Sequence, residues 1–262
     1  MPAPDKKGGE RSEASGPSRA SGPSGASEAS GPGPRYPEGL LEVRRLGRTP
    51  YAEAHALQED LVAARLRGEV GDLLLLTEHD PVITVGRGRG PELAQGCAIP
   101  VIEVERGGEA TYHGPGQLVA YPIYRLSEGR RDLHRYLRDL EEVVIRALAE
   151  VDVAAERRPG LTGVWAGGCK LCSIGVAVRR WVAWHGLALN LSVDLGAFRG
   201  FRPCGLDPEV MGNVAGLVEV PPARLLYEVL LIKHFCEVFE LELPPLPPPQ
   251  APPAGSLPIF PN

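Results

Sequence analysis

The sequence has no apolar run of membrane-spanning length. "DLLLL" at 72–76 and "LLYEVLLI" at 225–232 fall far short of the ~20 apolar residues that a spanning helix needs. Charge of one sign is not in large excess either. The 28 Lys and Arg stand against 33 Asp and Glu, a net charge of -5, which gives no ground for a nucleic-acid or lipid-surface partner. The N-terminal stretch lacks the apolar core of a signal peptide, and Asp5, Glu10 and Glu13 are out of keeping with an acid-poor transit peptide. The five cysteines are odd in number and lack the spacing of a disulfide framework, so a reducing cytoplasm is the expected location. No internal repeat is evident, and no glycine-rich loop ends in the Gly-Lys-Ser/Thr of a phosphate-binding motif.

What is there begins with two biased ends. Residues 1–36 are mostly Ser, Gly, Pro, Ala and charged residues; with so little to bury they do not offset their ordering entropy, and a disordered tail is expected. The proline-rich residues 244–262 are expected to form an extended tail. A single domain over 37–243 remains, large enough for a substantial core.

Within it, "PYAEAHALQEDLVAARLRG" reads as a helix, with Pro50 at its start and Gly68 at its end. "DLLLLTEHDPVITVGRG" reads as two short strands broken at Asp80 and Pro81. "PVIEVERGG" and "QLVAYPIYRL" are strand-like runs on either side of a glycine-rich turn. Over 132–152, Leu133, Tyr136, Leu137, Leu140, Val143, Val144 and Leu148 recur at helical spacing. "TGVWAG", "KLCSIGVAV" and "WVAWHGLALNLSV" read as strands, and Pro221 and Pro222 open a last helix ending near Leu241. Strands outnumber helices and do not alternate with them regularly. The fold class predicted is therefore α+β, a mixed sheet flanked by helices, not a doubly wound nucleotide fold.

Three stretches carry chemistry. In "ERGGEATYHGPGQLVAYPI", Gly107, Gly108, Gly114 and Gly116 permit close backbone approach, so that N–H groups can converge on an acyl oxygen or another anion. Arg106 and His113 add a cation and an imidazole. In "GFRPCGLD", Cys204 lies between Pro203 and Gly205, which predicts a sharp, rigid turn. A single cysteine is ordinarily a small buried hydrophobe; as a nucleophile it needs a neighbour that favours the thiolate, and Lys170, His113 and His185 are the candidates. In "GCKLCSIGVAV", Lys170 opens an apolar strand. Desolvation there would favour the neutral amine, whereas as an ammonium it would stabilise a neighbouring thiolate; residues alone leave both states open. Cys169 and Cys172 form a lone C-x-x-C. A structural zinc needs four ligands, and a redox pair normally opens a helix, so no metal is assigned and packing is expected. Trp165, Trp181 and Trp184 read as packing residues.

Taken together, "TEHDPVITVGR", "RGGEATYHGPGQLVAYPI", "TGVWAGGCKLCSIGVAV", "HGLALNLSVDL" and "PCG" resemble the lipoyl(octanoyl) transferases, also called the lipoate-protein ligase B family, over about residues 40–240. The resemblance implies the fold of the biotin and lipoate protein ligases. It implies that Cys204 carries an acyl group and that Lys170 tunes it. Arg106, Gly107, Gly108 and Glu109, continuing through Ala110, Thr111, Tyr112 and His113, would line the acyl pocket. Ser173, Ile174 and Gly175, with Gly186, Leu187 and Ala188, match the other substrate-contacting strands. The implied reaction moves an octanoyl group from octanoyl-acyl carrier protein, through a cysteine thioester, to a lysine of lipoyl domains in 2-oxoacid dehydrogenase complexes and the glycine cleavage H protein. No cofactor, nucleic acid or membrane is implied. Cys172 stands where that family carries cysteine or alanine, Cys169 has no assigned role, and "MGNVAGL" departs from the pattern. The rival expectations are an ATP-dependent lipoate or biotin ligase, which needs no acylated cysteine, and a non-catalytic lipoyl-domain or acyl-carrier binding module, which would retain the pocket glycines but not need both Lys170 and Cys204.

Overall fold

A computed structural model of the chain describes residues 39–87, 98–220 and 223–245. The expected tails lie outside the described residues, save for 244 and 245. Strand β1 (Leu41–Arg48) leads through helix α1 (Tyr51–Arg67) into β2 (Asp72–Glu78), and β1 and β2 pair in parallel, as a helical crossover allows. Helix α1 begins after Pro50 and stops at Gly68, whose φ of 75° is left-handed. Both ends fall where the sequence places them.

Pro81 has no N–H to continue a ladder, and the chain leaves the first sheet there. Strand β3 (Val82–Gly86) pairs in parallel with β4 (Val101–Val104) and antiparallel with β5 (Ala110–His113). Strand β6 (Gln117–Arg125) returns to the first sheet, and α2 (Leu133–Ala149) follows. The carboxylate of Asp132 caps α2 by accepting from the N–H groups of His134 and Arg135. Strands β7 (Glu156–Arg158), β8 (Leu161–Ala166), β9 (Cys169–Arg179) and β10 (Val182–Asn190) form an antiparallel meander, and α3 (Arg224–Phe239) closes the fold.

Among the described residues there are thus two sheets, a seven-stranded one ordered β1-β2-β6-β10-β9-β8-β7 and a three-stranded one ordered β4-β3-β5. The expected α+β class holds, but the single mixed sheet becomes two. The alternation of β2 shows how the large sheet is covered. Leu73 and Leu75 face α1 with Leu61 and Val62, whereas Leu74 and Leu76 face the core under α2 and α3 with Leu140, Val144, Leu231 and Phe235. No helix among the described residues is long and apolar enough to cross a membrane.

Helix α2 also reaches the sheet through a buried acid. Glu141 is fully buried, pairs with Arg138 at 2.6 Å and Arg157 at 3.1 Å, and accepts the Gly163 N–H of β8 at 2.9 Å. Replacing Glu141 by Leu strands that buried N–H, at a cost of about 1–3 kcal/mol. Glu141→Gln retains an acceptor and is expected to lose less; urea denaturation of the two variants measures the difference.

Candidate active site

A cleft of about 450 Å³, its open mouth included, lies against β9 and β10. Ser173, Ile174 and Gly175 of β9 and His185, Gly186, Leu187 and Ala188 of β10 form one wall. Arg106, Gly108, Thr111 and His113 come from the segment between β4 and β6, and Tyr51, Tyr121 and Cys204 complete the lining. The two glycines are cross-strand partners, Gly175 opposite Gly186, so the sheet carries a notch without side chains. A Cβ on Gly175 would stand 2.9 Å from Arg106 Cδ and 3.0 Å from the Gly107 carbonyl. Only glycine lets the Arg106 segment lie across β9, where the Gly107 N–H donates to Val176 O at 3.0 Å.

Arg106 is buried and spends its guanidinium on the opposite side of the cleft. Nη2 donates to Thr84 O at 2.7 Å and to Thr84 Oγ1 at 2.9 Å, and Nη1 to Gly107 O at 3.1 Å. Its Nε–H has no partner among the described residues.

Cys204 sits in the turn that its neighbours demand. It is left-handed, with φ 53° and ψ 32°, and Gly205 follows at φ 72°. The Leu206 N–H donates to Pro203 O at 3.0 Å. Two successive positive φ values closed by that bond are the pattern of a type I′ turn, and for cysteine this conformation is strained. The turn packs against β5 and holds Cys204 Sγ 4.0 Å from Ser173 Oγ.

Lys170 is 2% exposed at the start of β9 and makes no ion pair among the described residues. Its Nζ lies 5.8 Å from the Trp165 ring. Its side chain runs past Gly163, where a Cβ would stand 2.7 Å from Lys170 Cε. The segment that departs from the family pattern fixes its backbone: the Gly212 N–H donates to Lys170 O at 3.0 Å, and Asn190 Nδ2 holds Gly212 O at 2.8 Å. Lysine is almost never fully buried unless paired, so its burial with no carboxylate partner among the described residues marks it as a functional candidate.

The C-x-x-C is not a disulfide; both thiols are free. Cys172 is fully buried, and burial pushes its thiol well above the ordinary range, against the smaller opposing pull of Lys170. Cys172 is a packing residue.

The imidazoles at the cleft are held neutral. His79 Nδ1 donates to Thr49 O at 2.8 Å, and its Nε2 accepts from the Tyr121 hydroxyl at 2.8 Å. Burial lowers its pKa. Burial, reinforced by His79 and Arg106, holds His113 well below the usual range. Its Nδ1 approaches Gln117 Oε1 at 3.3 Å, and Gln117 is fixed in turn through Asn190 Oδ1 at 2.9 Å.

Of the residues singled out in the sequence, the cleft brings together Arg106, Gly108, Thr111, His113, Ser173, Ile174, Gly175, Gly186, Leu187, Ala188 and Cys204. Lys170, Gly107, Glu109, Ala110 and Tyr112 do not line it. Along β5 the alternation is strict: Thr111 and His113 face the cleft, while Ala110 and Tyr112 face the core of the small sheet. Glu109 instead sets its carboxylate against Gly205. Sequence reasoning missed Tyr51 and Tyr121, whose only signal was a polar tip within an apolar run.

Residues 50–235 match the lipoyl protein ligase A/B catalytic domain family. The chain is 54% identical over 176 residues to the octanoyltransferase of Rubrobacter xylanophilus, covering 63% of this chain and 79% of the relative. It is 44% identical over 204 residues to that of Syntrophotalea carbinolica, covering 78% and 97%. Its fold is similar to a lipoate-protein ligase A solved with ATP bound, with a TM-score of 0.64 at 18% identity, covering 78% of this chain and 87% of the other.

Because His79 and His113 are buried neutral, their folded pKa values lie below the unfolded ~6.5. The unfolded chain takes up their protons first. The stability this confers is complete above about pH 6.5 and is lost as pH falls toward the folded values, with a slope of up to ~1.4 kcal/mol per pH unit for each group. Melting curves at successive pH values should show a steeper acid-side fall for wild type than for His113→Gln.

Proposed function

The chain belongs to the lipoyl protein ligase A/B catalytic domain family, and from that premise we propose how its residues carry out octanoyl transfer in protein lipoylation, its activity among curated relatives that are octanoyltransferases. The acceptors are lipoyl-domain proteins. The donor in this reading is octanoyl-acyl carrier protein, because its acyl group is already a thioester and needs no nucleotide to activate it.

In the first step the proton of the Cys204 thiol rests on Lys170, whose ammonium holds the thiolate. The thiolate attacks the donor carbonyl carbon, a new C–S bond forms, the donor C–S bond breaks, and the departing thiolate takes the proton back from Lys170. One thioester replaces another, with little change in free energy. In the second step the acceptor lysine attacks the Cys204 thioester as a free amine. Its ammonium form has an ordinary pKa near 10.4, so a base must first remove a proton; Lys170 is that base and then protonates the departing Cys204 thiolate, and the second proton of the amine passes to water as the amide forms. An amide is formed, which is downhill.

The observation that carries this reading is the left-handed turn that offers Cys204 to the cleft beside Ser173. The unpartnered Nε–H of Arg106 supplies a donor for an acyl oxygen, the kind of group that stabilises a tetrahedral oxyanion. Ile174, Leu187 and Ala188 give the cleft apolar walls; burying about seven methylenes of an octanoyl chain at ~0.8 kcal/mol each contributes roughly 5–6 kcal/mol before costs. A ligase that activates a free acid with ATP has no use for an acylated cysteine, so Cys204 favours transfer.

Rapid-quench time courses without ATP separate the roles. Cys204→Ala should yield neither acyl-enzyme nor amide. Lys170→Ala should slow both steps by about 10²–10⁴-fold. Lys170→Arg keeps the charge but does not release its proton near neutrality, so it should acylate and then stall before amide formation. Full transfer by Cys204→Ala would refute the assignment.

A further inference from the structure

At the wall of the cleft, three segments bring His55 of α1, Glu105 just before Arg106, and His185 of β10 together, with one ligand atom from each lying within 4.8 Å of the others. None of these residues takes part in the transfer chemistry above. His55 Nε2 is 3.1 Å from Glu105 Oε2, and His185 Nε2 is 4.0 Å from the same oxygen. The second distance is too long for a hydrogen bond. His185 is 2% exposed, and its Nε2 has no hydrogen-bond partner among the described residues, although a buried polar atom normally has one. Its backbone is also turned aside for the purpose: at φ 56° it is left-handed within β10, and its N–H donates to the buried Gln58 Oε1 of α1 at 3.0 Å.

We propose that His55, Glu105 and His185 bind a divalent transition-metal ion of the zinc class. Two imidazoles and a carboxylate are the donor set such an ion favours, with a fourth position left to water. Bonds of ~2.0–2.2 Å to three tetrahedral positions hold ligand atoms ~3.4 Å apart, between the two separations observed here, and such an ion gives His185 Nε2 the partner it lacks. Glu105 is oriented for the task. Its Oε1 faces Arg87 at 3.6 Å, leaving Oε2 to the histidines. The neighbouring Arg106 opposes a second cation, but its guanidinium is committed to Thr84 and Gly107. On binding, His55 Nε2 exchanges its proton for the metal. The ion then ties α1, the Arg106 segment and β10 into one frame around the cleft. This inference does not rest on the acyl-transfer reading.

The test uses the full chain, stripped with chelator and titrated separately with Zn²⁺ and Co²⁺ in calorimetry and absorption. One ion per chain is expected, with a tetrahedral Co²⁺ spectrum free of thiolate charge-transfer bands. Affinity should fall at least ~100-fold in both His55→Ala and Glu105→Gln, while their metal-free melting curves stay close to wild type. No retained ion, equal affinity in both variants, or a thiolate signature from the cysteines would overturn the proposal. If His55→Ala is misfolded, the near-isosteric Glu105→Gln decides by the same readings.

Discussion

Everything at the cleft depends on one close approach, the crossing of the Arg106 segment over β9 at Gly175. The crossing requires that a strand in the middle of a seven-stranded sheet carry no side chain at that point, and Gly186 repeats the omission on the next strand. With the notch in place, the Arg106 guanidinium reaches Thr84 of the small sheet while the Gly107 N–H holds Val176, and the two sheets are joined across the space that the cleft occupies. Any Cβ at Gly175 would push Arg106 and Gly107 away together. The site is thus set by backbone contact first and by functional groups second.

The thiol and the lysine are held by unrelated means. Cys204 is presented by a strained local turn, a conformation maintained by Pro203, Gly205 and packing on β5. Lys170 belongs to a strand, and what keeps its side chain buried is the missing side chain of Gly163 and the bond from Gly212 to its carbonyl. Gly163 is in turn fixed by Glu141 of α2, so a helix on the far side of the sheet helps decide where the amine lies. Around both, burial and neighbouring positive charge keep His113 uncharged, so the histidines are poor sources of counter-charge for a thiolate, and the lysine is left with that role.

Much of this was legible in the sequence where local rules dominate. Helix α2 shows an apolar stripe, and α1 is bounded by proline and glycine. The turn at Cys204 follows from its two neighbours. Strand β1 was not legible, because at the edge of the sheet Arg44 and Arg45 interrupt its apolar pattern. Strand β5 was hidden inside a glycine-rich stretch that reads as a turn; it is a strand because β3 pairs with it, a long-range fact. The division into two sheets has the same origin. The residue types around the acyl pocket were readable from motifs, whereas the face each one takes along β5 came only from pairing. His55, Glu105 and His185, separated by 50 and 80 positions along the chain, form no spacing pattern at all.

The central claim is that Cys204 carries the acyl group on its way from one protein to another. It is tested most directly by incubating the full chain with octanoyl-acyl carrier protein, without nucleotide and without acceptor, then digesting it and mapping the adduct by mass spectrometry. The account predicts a single octanoyl group on the peptide containing Cys204, removed by hydroxylamine as a thioester is. An adduct on Lys170, or none until ATP is supplied, would contradict it.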